Sequence, residues 1–415
     1  MTASVLRNAS LLTMEDGPVF RRADLWLEDG KILRITREEE VPEGASVYDF
    51  SGCYILPGLM DSHVHYDADY MGDFFLACGI TSVRNMRGYA FHARWRDEIL
   101  AGKRRGPYLY SSGPIYDGED PSIPDNENVI LHTEEDAEAA IAYTKKYHFL
   151  WLKTYPSIEP ALYRYLLKRA AQEKLPMCGH MSKKLDDKVL AAEGYSCCEH
   201  TSSLPAKEED IRFLAESGMW LCPTHVVCET LPDYVWNGKQ MTDLAHFQDL
   251  PECVRREWEE KNRIIVDNYR KLGVKPDFQK IIDRGKTFLK YSDRIMAGSD
   301  CAYPGMIPGF SLQDELERLV RVYEMTPYEA LCAATRKPAE YMGIDGQKGR
   351  IAPGMDADLV VLEENPLADI ENVRKIRQVF QGTRTWDKGA FQQLLAADRK
   401  LEKHEIEFAP KRPDS

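Results

Sequence analysis

The sequence predicts an α/β chain, a (β/α)8 TIM barrel carrying a small composite β-sandwich made from its N- and C-terminal segments, and three observations predict it. From Ile55 to Asp300, eight short apolar runs alternate with longer amphipathic stretches, the rhythm of a parallel sheet wrapped by helices. Period-two alternation occurs at both ends of the chain, before Gly58 and again after Lys348. The length of 415 residues accommodates a barrel of about 250 residues and a smaller unit.

Each element follows in order. Residues 1–57 read as the N-terminal part of the sandwich, where DLWLEDGKILRI alternates on either side of Asp29-Gly30, a dipeptide suited to a two-residue hairpin turn. Residues 58–347 read as the barrel. Its strands are the run ending in HVH, then ITSVRNM, PYLYSSG, HFLWLKTY, PMCGHM, YSCCEHTS, MWLCPTHVV and RIMAGSD. Between them, EEDAEAAIAYTKKY and PALYRYLLKRAAQEK repeat apolar residues at three- and four-residue spacing, as helices do. The stretch 229–290 exceeds a simple crossover and is expected to hold extra helices, for example in PECVRREWEEKNRIIVDNYRKLG, as a lid or as inert decoration. Residues 348–390, with GRIAPGMDADLVVLEENP and IRQVFQGTRTW, return to the sandwich, and 391–415 read as a helix and tail.

The charge balance narrows the partners. Lys and Arg total 54 against 67 Asp and Glu, a net charge of −13 with no basic cluster, which disfavours nucleic acid and anionic membranes and leaves a small-molecule substrate, compatible with a homo-oligomer. The N-terminus lacks a basic stretch leading into an apolar core, and no run of eighteen apolar residues occurs, so a soluble cytoplasmic protein is expected. The ten cysteines form no CxxC pair and several sit within apolar strands, which reads as reduced, buried small hydrophobes.

The unusual polar residues share one position. In ILPGLMDSHVHYD, His63 and His65 are two apart on a strand, so both imidazoles point to one face about 7 Å apart and can lean toward one metal ion. Lys153 in FLWLKTY, His180 in PMCGHM, His200 in CCEHTS and Asp300 in RIMAGSD also lie at strand C-terminal ends, the rim where barrel enzymes carry their chemistry. Any one alone reads as a structural residue; six at one rim point to a site. Neutral imidazoles and a carboxylate suit zinc and related divalent ions. An ammonium on an apolar strand is costly to bury and repels a cation, whereas a carbamate on Lys153 would be anionic with two oxygens able to bridge two metals. The competing reading is a lysine paired with a rim acid.

These motifs resemble the amidohydrolase superfamily, in the branch that groups imidazolonepropionase-like proteins with Xaa-Pro and related Xaa-amino-acid dipeptidases. The resemblance runs through ILPGLMDSHVHY, GITSVRNM, WLKTYPS, the GH and EH histidines and AGSD to MTPYEALCAATRKPAEYMGIDGQKGRIAPGMDADLVVLEENPL, nearly the whole chain. It implies two divalent ions, zinc first and Mn, Co or Fe as alternatives. His63 and His65 would hold the more buried ion, His180 and His200 the second, N6-carboxylated Lys153 would bridge them, and Asp300 would complete the site as ligand and catalytic group. The expected reaction is hydrolysis of a C–N bond, an amide or peptide bond in a small substrate such as a dipeptide or N-acyl amino acid, by water activated between the ions with Asp300 as proton shuttle. Trp151, Thr154 and Tyr155 around Lys153, and His225 after Pro-Thr, depart from the dipeptidase pattern, so the substrate is less legible than the metal site. His225, Tyr155 and Tyr234 are candidate substrate contacts. The alternatives are a mononuclear deaminase or imidazolone-type cyclic-amide hydrolase on the same fold, and a non-catalytic scaffold.

Overall fold

The computed structural model describes residues 3–37, 39–41, 43–119, 128–273 and 277–396. The first strands are β1 (Ala3–Leu11), β2 (Arg21–Glu28), β3 (Lys31–Thr36), β4 (Ser46–Asp49) and β5 (Tyr54–Pro57). β2 and β3 pair antiparallel with Glu28 opposite Lys31, and the two residues between them, Asp29 and Gly30, have φ of 47° and 78°. A two-residue turn that matches strand twist needs positive φ at both positions, which Asp tolerates and Gly adopts freely.

The barrel follows without a linker, Gly58 alone separating β5 from β6 (Leu59–Val64). Its helices and strands alternate: α1 (Tyr70–Ala77), β7 (Ile80–Asn85), α2 (Ala90–Leu100), β8 (Tyr108–Asp117) with a short β9 (Val129–Ile130), α3 (Glu134–Lys146), β10 (Trp151–Thr154), α4 (Pro160–Gln172), β11 (Met177–Gly179), α5 (Asp187–Ala192), β12 (Tyr195–Glu199), α6 (Glu208–Glu216) and β13 (Trp220–Cys222). The helix starts are chemically marked. Thr133 and Asp136 cap each other's backbone N–H ahead of α3, and Pro160 opens α4, where its missing N–H is not needed.

Seven strands form a parallel ladder in the order β13-β12-β11-β10-β8-β7-β6. The eighth expected strand, RIMAGSD, closes the ring less regularly. Leu221 N–H donates to Arg294 O (3.0 Å), Met296 N–H to Leu221 O (2.9 Å) and Ser62 N–H to Ala297 O (2.9 Å), so it bridges β13 and β6. Its ladder is interrupted because carbonyls from the chain's later helices take part: Ala297 N–H donates to Ala333 O and Met60 N–H to Ala334 O.

The run MWLCPTHVV divides between two elements. Pro223 and Thr224 end the strand, and His225, Val226 and Val227 begin helix α7 (His225–Val235), with Thr224 left-handed at φ 44°. The insertion does contain additional helices, α8 (Glu252–Leu272) and α9 (Phe278–Leu289). Val254, Trp258 and Val266 turn the apolar side of α8 into a core shared with Tyr70, Tyr234 and Val235. Beyond the barrel lie α10 (Phe310–Arg321), α11 (Pro327–Ala333), α12 (Arg336–Met342), β14 (Leu359–Leu362), β15 (Ile376–Gln381), β16 (Arg384–Asp387) and α13 (Lys388–Ala396). The expected C-terminal helix thus starts three residues earlier, and the tail 397–415 lies outside the described residues.

β14 pairs antiparallel with β5 (Leu359 opposite Pro57), joining the two ends of the chain in one mixed sheet, β16-β15-β14-β5-β1-β2-β3, with β4 on β1. One face encloses Leu6, Leu25, Phe50, Ile55, Leu359 and Phe380; from the other, Val360 and Ile376 join Phe75 and Ile80 of the barrel. All ten cysteines are free and eight are buried. Among the described residues no helix is long and apolar enough to cross a membrane.

Candidate metal centre

The strand ends bring the six sequence-derived residues to one rim. His63 lies on β6 and His65 just beyond it; Lys153 is on β10; His180, His200 and Asp300 each follow the end of their strand. His63 Nε2 is 3.3 Å from Lys153 Nζ and 3.4 Å from Asp300 Oδ1, and His65 Nε2 is 3.3 Å from the same oxygen. His200 Nδ1 stands 3.8 Å from Asp300 Oδ2, and its ring is 4.8 Å from that of His63 and 4.3 Å from that of His180.

The backbone is unusual at the same rim. His200, Thr224 and Asp300 have φ of 67°, 44° and 57°, a region that costs a non-glycine residue about 1–2 kcal/mol and is held only by its surroundings. The hold is visible: His200 N–H donates to Cys222 O and Asp300 N–H to His63 O (both 2.8 Å), while the Thr224 hydroxyl lies 2.7 Å from His200 Nδ1. Asp61 ties β6 to the eighth strand, accepting from Ser299 N–H (3.0 Å), Ser299 Oγ (2.6 Å) and His63 N–H (3.3 Å). Burial pushes its carboxyl up to about 7 against the pull of those hydrogen bonds.

Gly298 is needed for this closeness. A Cβ there would stand 2.5 Å from Cys222 Sγ, 2.8 Å from His63 Cβ and 2.9 Å from His63 N. Gly298→Ala is therefore expected to force the eighth strand away from His63, lowering stability by about 1–3 kcal/mol, the usual range for overpacking, and weakening metal uptake. Thermal melts and metal analysis of the purified variant check this; a parental melting temperature with parental metal content would show that the strands have room to spare.

The electrostatics suit a cation. Burial, and next the ammonium of Lys153, holds His63 well below the ordinary histidine value; burial does the same for His180 and brings His200 to about 4. These rings are therefore neutral and keep a lone pair. Burial opposes charge on Asp300, but the imidazoles around it, His63 foremost, outweigh that and keep its carboxyl below the usual range. Burial lowers Lys153, which has no solvent exposure and, among the described residues, no direct salt bridge; Glu199 and Asp300 attract its charge from farther off, and its hydrogen-bonding contact is His63 Nε2. A lysine held at longer range by Glu199 and Asp300 therefore stands beside the carbamate reading.

Two observations test whether these residues fit divalent ions. A ring nitrogen each of His63 and His65 and a carboxyl oxygen of Asp300 lie within 4.8 Å of one another, and among the described residues His65 Nδ1 and His180 Nδ1 are buried without a hydrogen-bond partner. A convergent set of neutral nitrogens, a carboxylate and an amine open to carboxylation is a donor set for zinc-like ions.

The candidate substrate contacts are placed differently. Tyr155 packs edge-on against His180, with ring centroids 4.5 Å apart. Tyr234, on α7, is buried against Gly305 of the loop after Asp300, and its hydroxyl has no hydrogen-bond partner among the described residues. His225 has both ring nitrogens occupied, Nε2 by Glu229 (3.0 Å) and Nδ1 by the Tyr323 hydroxyl (3.4 Å), and its N–H donates to Glu315 (3.0 Å), so it braces the start of α7. Beside His180 a cleft of about 560 Å³ is lined by Pro156, Met181, Ser182, Lys183, Asp187 and Ser202 among others.

Two buried charges escaped the sequence reading. Glu199 Oε2 lies 2.8 Å from His63 Nδ1, and Glu199 Oε1 accepts from Arg84 at 2.6 Å. Burial opposes the charge on Glu199, and Arg84 then Lys153 reverse that. Cys222 Sγ also lies close to this glutamate and His63 Nδ1, but the carboxylate is already neutralised by a guanidinium, so the trio supports the histidine and is no second ion site. The available signal was a charge inside each of two apolar runs, SVRNM and CCEH.

Comparison with known proteins agrees with this geometry. The Amidohydrolase family profile matches residues 54–384. Imidazolonepropionase of Deinococcus deserti is 34% identical over 87% of this chain and 92% of its own, and ochratoxinase of Aspergillus niger is 24% identical over 92% of this chain and 85% of its own. Among solved structures, a Xaa-Pro dipeptidase with methionine bound in its active site superposes with a TM-score of 0.71 at 18% identity, covering 93% of this chain and 100% of that one.

Proposed function

This chain belongs to the amidohydrolase family and is a hydrolase of carbon–nitrogen bonds, and from that premise we propose that it cleaves the amide of a small substrate, a dipeptide or an N-acyl amino acid, at a centre of two divalent ions. His63 and His65 would hold one ion and His180 and His200 the other, with Lys153, carboxylated on Nζ, and Asp300 supplying the anionic oxygens; zinc suits these donors best, ahead of Mn, Co or Fe. The observation that carries the reading is Lys153 itself, a fully buried amine amid histidines with no direct salt bridge among the described residues. It also argues against the mononuclear deaminase or imidazolone-type alternative, which has no use for a bridging anion.

When bound, such ions polarise a scissile carbonyl and ease deprotonation of water. The chain's own residues do the rest. Asp300, ionised among neutral imidazoles, accepts the proton of the attacking water and delivers it to the departing nitrogen. Tyr155, beside His180, and Tyr234, whose hydroxyl lacks a partner among the described residues, would contact the substrate; His225 would act by holding α7.

A substrate bearing a free carboxylate is favoured by Lys183 and Ser182 among the residues lining the cleft beside His180, against the Asp187 carboxylate on the same lining. Screening the metal-loaded protein against dipeptides and N-acyl amino acids tests the substrate class. Amidation of the carboxylate in a good substrate is expected to lower kcat/KM by about 10- to 100-fold, the loss of one charged hydrogen-bonding interaction. Equal rates on the free and amidated forms, or turnover only of aminated heterocycles, would overturn the carboxylate reading.

A further inference from the structure

Beneath the histidines, the barrel interior holds a charged pair that this chemistry does not use. Arg84 and Glu199 have no solvent exposure. Arg84 Nη2 donates to Glu199 Oε1 at 2.6 Å and Nη1 to the Ser62 carbonyl at 2.9 Å, and the guanidinium lies 5.1 Å from the ring centre of Trp151 and 4.9 Å from that of Tyr341. Tyr341 belongs to α12, near the end of the barrel segment, and its hydroxyl is 2.9 Å from Ser196 Oγ. The other glutamate oxygen lies 2.8 Å from His63 Nδ1.

That contact has a direction. An ionised carboxylate only accepts hydrogen bonds, so a neutral His63 must carry its proton on Nδ1 and turn an unprotonated Nε2 toward Lys153 and Asp300. Arg84 keeps the carboxylate from standing alone in the barrel interior, and through Ser62 it pins the backbone next to the ring. Mere filling of the barrel floor does not require this, since apolar side chains of similar volume would serve as well.

We propose that Arg84 and Glu199 are positioning residues that hold His63 in its Nδ1–H tautomer and so present Nε2 to the metal, an inference that rests on His63 being a ligand. Arg84 acts through Glu199, and their dependence on each other is the distinctive consequence. In Glu199→Gln, Arg84 still claims the side-chain oxygen, which leaves the amide NH2 facing His63 Nδ1. The ring must then accept there and shift its proton to Nε2, the atom meant for the metal. Adding Arg84→Met frees the amide to turn over, so the double variant regains part of what the single variant loses.

The test is zinc affinity by chelator competition, together with nitrogen-15 histidine spectra of the metal-free proteins. Glu199→Gln is expected to bind zinc about 10- to 100-fold more weakly than the parent, in the range for groups that orient metal ligands, and to show His63 protonated on Nε2. The double variant should fall between the two in affinity, with mixed tautomers. Parental affinity within twofold in Glu199→Gln, or weakened affinity with His63 still protonated on Nδ1, would overturn the proposal. If Glu199→Gln does not fold, the double variant is compared with the parent, and equal affinity overturns it. A parent that takes up no zinc would remove the metal-centre reading and this inference together; a parent that loads, with variants that load equally, removes this inference alone.

Discussion

Asp300→Asn is expected to fold, to keep taking up divalent ions, and to lose at least about two to three orders of magnitude in kcat, the scale of a lost general base. The replacement is isosteric, and Asn tolerates the left-handed φ of 57° that most residues would resist, so the loop that also carries Ser299 and its bond to Asp61 should stay in place. An amide oxygen can still approach a cation from the position of Oδ1, 3.4 Å from His63 Nε2 and 3.3 Å from His65 Nε2. It cannot take a proton from water and give it to a leaving nitrogen. Steady-state kinetics with metal counted per chain decide the matter, and a kcat near the parent's would remove Asp300 from the proton transfer.

Lys153→Ala should have an equally large effect by a different route. As a carbamate, Lys153 would supply the bridging anion, so its removal is expected to drop bound metal from two ions toward one or none and to abolish turnover. The barrel should survive, because the deleted group is a buried amine without a direct salt bridge among the described residues and Leu152, next to it, keeps its place in the apolar core outside the strands. Acetate or formate at high concentration should diffuse into the space and restore part of the activity, since what is missing is a pair of oxygens. Lys153→Arg should restore nothing, because a guanidinium keeps the charge and cannot be carboxylated. An arginine variant as active as the parent, with one metal per chain, would make the lysine a structural cation and favour a mononuclear enzyme.

Local chemistry made much of the fold legible. Asp29-Gly30 announced its hairpin, the alternation of apolar runs announced the barrel, and the two-residue spacing of His63 and His65 placed both rings on one side of a strand end. What could not be read depends on partners far away in the chain. Arg84 and Glu199 are 115 residues apart, and each alone is just a charge in an apolar run. The broken pairing of the eighth strand depends on carbonyls of Ala333 and Ala334, which no pattern within RIMAGSD could reveal. His225 looked like a free polar group at the rim because Glu229, Tyr323 and Glu315, which surround it, come from a helix turn and two later segments. The apolar pair Val226-Val227 prolonged the look of a strand because a buried first helical turn and a buried strand share the same composition.

The pairing of β5 with β14 has a consequence for how the protein is made. A ribosome delivers the chain from its N-terminus, so β5 emerges early while its antiparallel neighbour, Leu359–Leu362, emerges only after the entire barrel. Until then one side of β5 presents unpaired N–H and C=O groups flanked by Ile55 and Leu56, a template for stray strands from other nascent chains. The barrel's first strand begins one residue further on, and its histidines hang from that unfinished edge. Completion of the sheet is therefore a long-range closure that locks the start of the barrel only after the whole barrel has been synthesised, and the nascent protein has most need of chaperone cover in the interval before residue 359 appears.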